Sequence, residues 1–205
     1  MTARLDALKR ILPPPPAEIV SPPWSDSMVR VGFAFPEDYR EFVGAYGGGV
    51  ISTPRVSPDL AIAIPHAERR TGFEHAGFEG FIERHLRDYG DFLAAEEDSG
   101  LHDFQVNSYP PLGGLLAWGE TSNSDMFFWL TSNASPDKWP VVVFERHPGI
   151  FVTHGGGMVE FLVDLLEGRN HASAMMRGGP PAWRMNSDWV REGLDITAGP
   201  ASGVV

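Results

Sequence analysis

Three short apolar runs, Leu115 to Trp118, Met126 to Leu130 and Val141 to Phe144, limit the folds open to this chain more than any other feature. Each has strand length, and none alternates apolar with polar residues. A sheet with one wet face needs that alternation, so these runs predict a sheet covered on both faces. The rest of the sequence must supply the cover, and it reads as helices.

The clearest helix follows Phe35. Pro36 suits a first helical position, and Glu37 and Asp38 set negative charge at the positive end of the helix dipole. Tyr39, Phe42, Val43 and Tyr46 fall at i, i+3, i+4 and i+7, one buried stripe, and Gly47 to Gly49 end the helix. Residues 2–12 read as a short helix capped by Thr2, and Pro13 to Pro16 as a stiff spacer. Trp24 to Val31 reads as a further helix. Strands are expected at Val50 to Thr53 and Leu60 to Ile64. Between 73 and 97, Phe78, Phe81, Ile82, Leu86, Tyr89, Phe92 and Leu93 keep helical spacing, while Gly77, Gly80 and Gly90 weaken it enough for a break. Gly149 to Thr153 suits an edge strand. Met158 to Leu166 reads as a closing helix with Phe161, Leu162, Leu165 and Leu166 inward. Helices, strands, helix, strands, helix is the order of an α+β fold with a mixed or antiparallel central sheet. Beyond Asn170 the signal fades; Trp183 and Trp189 are available to fold back, and Thr197 to Val205 reads as disordered.

Chemistry is harder to find. With no cysteine there is no disulfide, thiolate nucleophile or Cys-based metal site. His154-Gly155-Gly156-Gly157 resembles an oxyanion-hole loop, but no serine sits in a Gly-x-Ser-x-Gly elbow. Its N–H groups suit an anion at the helix start, yet neither lysine, Lys9 or Lys138, completes a phosphate loop. His66-Ala67-Glu68 matches half of a deaminase motif whose cysteines are missing. His75, His85 and His102 have no metal-ligand spacing. The reading is therefore no catalytic residue, no metal and no cofactor. A hydrolase built from scattered carboxylates and histidines stays open, since sequence spacing does not give their separation in space.

Charge says more. The formal net charge is -11. That opposes binding to a phosphate backbone or an anionic membrane, and it suits either plain solubility or a basic protein partner. From Glu74 to Asp103 lie nine acidic residues against two arginines, Arg84 and Arg87. This stretch is either a solvated helix face or a patch that attracts a basic surface. Trp118 and Trp129 belong to the core; Trp139, beside Asp137 at a strand start, fits a core or an interface anchor equally. The first twelve residues have no fused apolar core of a secretion signal, so the expected compartment is the cytoplasm.

Trp24, Pro36, Asp38, Tyr39, Phe42, Tyr46, Gly47 and Gly49, in that order, resemble the opening pattern of the SUKH superfamily, the cell-wall assembly regulator-like domains. Two further blocks resemble it as well. Trp118-Gly119-Glu120-Thr121-Ser122-Asn123-Ser124-Asp125 with Phe128-Trp129 is similar to the family's Trp-Gly-x-Thr-x-Asn-Gly-Asp and aromatic-Trp pattern. Pro136-Asp137-Lys138-Trp139-Pro140-Val141-Val142-Val143 is similar to its Asp-Pro-x-x-Trp-Pro-Val-Val strand. Phe35 stands where the family has Leu, Ser124 where it has Gly, and the insert at 66–105 is long. The resemblance covers 24–168. It implies one SUKH-like domain there, with a helix and proline-rich connector at 1–23 and a partly disordered extension at 169–205. It further implies a non-catalytic immunity protein that neutralises a cognate toxin domain, a nuclease above all, in a bacterial polymorphic toxin system. The alternative it implies is a regulatory scaffold of the cell-wall assembly regulator type. Residues offered for partner contact are Glu96, Glu97, Asp98, Glu120, Asp125, Asp137 and Trp139.

Overall fold

The apolar runs pair with one another in chain order. In the computed structural model, which describes residues 3–54, 58–65, 77–100, 102–109, 112–176 and 178–185, the elements are α1 (Ala3–Ile11), α2 (Trp24–Val31), α3 (Glu37–Tyr46), β1 (Gly49–Ser52), β2 (Leu60–Ile62), α4 (Gly77–Ser99), β3 (Leu115–Thr121), β4 (Met126–Leu130), β5 (Val141–Glu145), β6 (Ile150–His154), α5 (Met158–Leu166) and β7 (Ala182–Met185). The strands form one seven-stranded sheet in the order β6-β5-β4-β3-β2-β1-β7, every pairing antiparallel. The protein is an α+β fold, as the order of elements implied, and β3, β4 and β5 occupy its interior.

Both faces of those strands are covered. Phe127 and Trp118 meet Phe161 of α5, and Trp129 meets Tyr39 of α3 at 5.1 Å between ring centroids. On the other face Phe128 meets His85 and Phe144 meets Phe92, both from α4. Successive side chains of a strand point to opposite faces, so β4 binds a helix layer with each. Tyr39, Phe42, Trp118 and Trp129 are fully buried. The phenol groups of the α3 stripe are satisfied inside: Tyr39 donates to the Ala63 carbonyl and Tyr46 to the Leu12 carbonyl, each at 2.6 Å.

The core runs past both ends of the 24–168 segment. Leu5 and Leu8 of α1 are buried, and α1 lies along α5. At the other end, Trp183 of β7 packs on Phe42 and Tyr46 and donates its indole N–H to the Tyr46 carbonyl at 2.9 Å. Gly49 is what lets β7 approach: a Cβ there would stand 2.2 Å from the Arg184 carbonyl oxygen. Helix α4 runs without a break through Gly80 and Gly90. Residues 73–76, Trp189 and Thr197 to Val205 lie outside the described residues.

A β-bulge at Trp118 sets the faces of β3. Ala117 pairs with Phe128 and Gly119 with Phe127, leaving Trp118 as the extra residue. Without the bulge, Glu120 would share the α5 face with Trp118. With it, Glu120 falls opposite Met126 and points under α4.

Candidate functional site

Helix α4 turns most of its apolar residues to the core and most of its acids outward, with Leu86 of the expected stripe exposed instead. Phe78, Phe81, His85 and Leu93 are buried, whereas Glu83, Asp88, Asp91 and Asp98 are exposed, as is Asp103 just beyond the helix. The spacing follows the 3.6-residue period of one amphipathic helix. Arg87 is exposed within this face and pairs with Asp88 at 3.0 Å. The other arginine, Arg84, turns inward to Glu120 at 2.6 Å and sits over the Phe81 ring. An acidic outer face is therefore left along most of the helix.

Several acids offered for partner contact have partners inside the chain. Glu97 accepts the backbone N–H groups of Val106 and Asn107, and Glu96 meets His102 at 3.1 Å. Both are half-buried and hold the segment after α4 against its last turns. Glu120 is 5% exposed, and burial raises its carboxyl above the usual range although Arg84 opposes the shift. Asp125 is 7% exposed; it accepts from the Thr121 hydroxyl at 2.8 Å, closing the β3–β4 turn, and from the Arg146 N–H just after β5 at 3.0 Å. Glu120 and Asp125 are thus removed from the contact surface, because each answers a donor within the fold. Trp139 is corrected in the same way. It is 3% exposed, lies beside Phe33 and Trp129, and donates its indole N–H to the Asn133 carbonyl, so its ring is not a surface anchor. Asp98 and Asp137 are exposed, but Asp98 ends α4 while Asp137 stands at the start of α3. The seven residues do not form one surface.

Asp137 and Asp38 share a role that their spacing does not suggest. The residue preceding α3 is Pro36, which has no side chain to cap a helix, and Asp137 accepts the Glu37 N–H at 2.6 Å instead. The residue preceding α5 is Gly157, equally capless, and Asp38 accepts the Val159 N–H at 3.0 Å across 121 residues. Each carboxylate stands where an N-cap oxygen would be. The glycine run before α5 is therefore no anion site, because a carboxylate already answers its helix start.

Among the described residues no group of three or more His, Asp or Glu side chains could hold a metal ion. His85 lies among Phe81, Tyr89 and Phe128 with no hydrogen-bond partner for Nε2, and burial drives its pKa down to about 3. His75 lies outside the described residues. His171 meets Glu145 at 2.6 Å, and His154 lies 3.9 Å from Asp164. Among the described residues no helix is long and apolar enough to cross a membrane.

No protein-family model matches this chain, and no curated protein and no solved structure matches it either.

Proposed function

We propose that this chain is a non-catalytic immunity protein, which binds and neutralises a cognate toxin domain of a bacterial polymorphic toxin system in the cytoplasm of the producing cell. The observation that carries the reading is the acidic outer face of α4, with Glu83, Asp88, Asp91, Asp98 and the adjoining Asp103 exposed. A nuclease must be electropositive where it holds phosphate, so an acidic helix of this kind competes for the same field. The SUKH-like blocks around Trp24, Trp118 and Trp139 support it from the sequence side. Inhibition then needs only coverage of the toxin, with no nucleophile, metal or cofactor contributed by this chain.

Coexpression with the toxin encoded beside it is the direct test. Cells should survive with this protein and die without it; equal killing in both would reject the immunity reading. Charge reversal at Asp91 and Asp98 should slow association by about tenfold and flatten its salt dependence, with dissociation nearly unchanged.

A further inference from the structure

Among the described residues, the strand at one end of the sheet has an unpaired edge. Among the described residues β6 has β5 as its only strand neighbour. Its sequence, Ile150-Phe151-Val152-Thr153-His154, contains no lysine, proline or bulge, the devices that normally keep an edge from pairing. Gly155, which follows it, has open space where a side chain would be. The inner strands β3, β4 and β5 are buried throughout, whereas Ile150 and Thr153 of β6 are exposed and Val152 is half-buried.

The two faces beside this edge differ in chemistry. Phe151 pairs with Phe144 and lies on the α4 face, where Phe92, His102 and Phe104 surround it. The end of α4 and the segment after it therefore overlook the edge, and both carry acids: Glu96, which meets His102, and the exposed Asp98 and Asp103. Ile150 and Val152 point to the opposite face and leave apolar surface there; Ile150 is 37% exposed.

We propose that β6 is a docking edge for an extended segment of a protein partner in which basic and apolar residues alternate. Main-chain hydrogen bonds extend the sheet by one strand, the basic side chains lie along the α4 face, and the apolar ones cover Ile150 and Val152. A second copy of this chain fits worse. Two antiparallel β6 edges related by a two-fold axis would put both α4 ends on one face, setting Asp98 and Asp103 of each copy against their own kind. The proposal rests on the binding reading above and specifies how a basic partner is held.

The test uses the full chain and three synthetic peptides. One alternates lysine and valine, one alternates glutamate and valine, and one has the first peptide's composition with its lysines and valines in separate blocks. Hydrogen exchange locates the peptide and fluorescence anisotropy gives its affinity. The alternating lysine peptide should slow exchange within residues 150–154 and should bind about tenfold more tightly than either of the others. Asp98→Lys combined with Asp103→Lys should remove its advantage over the glutamate peptide. Equal binding of the alternating and blocked lysine peptides, or protection that falls outside β6, would overturn the proposal. So would β6 protection that rises with protein concentration in the absence of peptide, which would give the edge to a second copy. Coexpression separates the two readings. If Ile150→Lys leaves neutralisation intact while reversal of Asp91 and Asp98 abolishes it, the edge proposal falls and the immunity reading stands. If the peptide docks on β6 but the chain protects no host, the reverse holds.

Discussion

Replacing Asp38 tests whether a carboxylate on one helix caps another. Its Oδ2 accepts the Val159 N–H at 3.0 Å, the place an N-cap side chain would take if the residue before α5 were not Gly157. Asp38→Ala leaves that N–H without its acceptor at a half-buried helix start, a loss of about 1–2 kcal/mol. For a chain of 205 residues this lowers the melting temperature by about 2–8 °C. Asp38→Asn should behave differently. Burial raises the Asp38 carboxyl above 3.8, and its hydrogen bonds from Val159 and Tyr39 only partly offset this. A carboxyl raised on folding adds stability when protonated, and that stability is lost as pH rises from 3.8 through the folded value. Asparagine keeps an acceptor and has no charge to desolvate, so Asp38→Asn should lie within about 0.5 kcal/mol of wild type at pH 7. Its stability relative to wild type should grow between pH 3 and pH 7. Urea unfolding across that range, monitored by tryptophan fluorescence, measures both. Equal losses for Asn and Ala at pH 7 would refute the capping argument, as would a relative stability of Asp38→Asn that falls as pH rises. Gly157→Ala supplies an internal control: its Cβ would stand 2.5 Å from Asp38 Oδ2, so its cost should shrink in the Asp38→Ala background.

Four other outcomes follow from the packing of α4 and the β3–β4 turn. Arg84→Met strands the buried Glu120 carboxylate and should cost about 2–3 kcal/mol at pH 7, with a smaller loss at pH 4.5 where Glu120 takes up a proton; denaturant midpoints at the two pH values check this. Burial holds His85 neutral, so wild type should lose stability as pH falls from 6.5 toward about 3, and thermal melts of His85→Phe should show a flatter dependence there. A Cβ on Gly90 meets nothing within 4 Å, so Gly90→Ala should stabilise α4 by about 0.5–1 kcal/mol. Ser124 holds φ at 67°, where the resembled pattern has Gly, and Ser124→Gly should gain about 1 kcal/mol by chemical denaturation.

The stripe Tyr39, Phe42, Val43 and Tyr46, the closing helix from Met158 and the three central strands were legible because each is a local pattern. A period of 3.6 or a short unbroken apolar run is set by neighbours in the chain, and the core has only to accept it. The acidic face of α4 was legible for the same reason. No local pattern marks residues 182–185 as a strand, since their strand character comes from pairing with β1 at a distance, with Gly49 making room and Trp183 anchored on Tyr46. Trp139 stood evenly between core and interface in sequence, and neighbours as remote as Phe33 decided for the core. Glu96 and Glu97 read as free charge until the returning segment at 102–107 gave them donors. Glu120 makes the division plainest. Its place in a Trp-Gly-Glu-Thr run suggests a turn carboxylate on the surface, yet the bulge at Trp118 rotates it under α4, where Arg84 stands 36 residues away in sequence. Sequence determined the helices, the central strands and where the acids cluster. Which carboxylates found a donor was decided by tertiary contacts alone, because a charge is answered by whatever lies beside it in space and no local period records that.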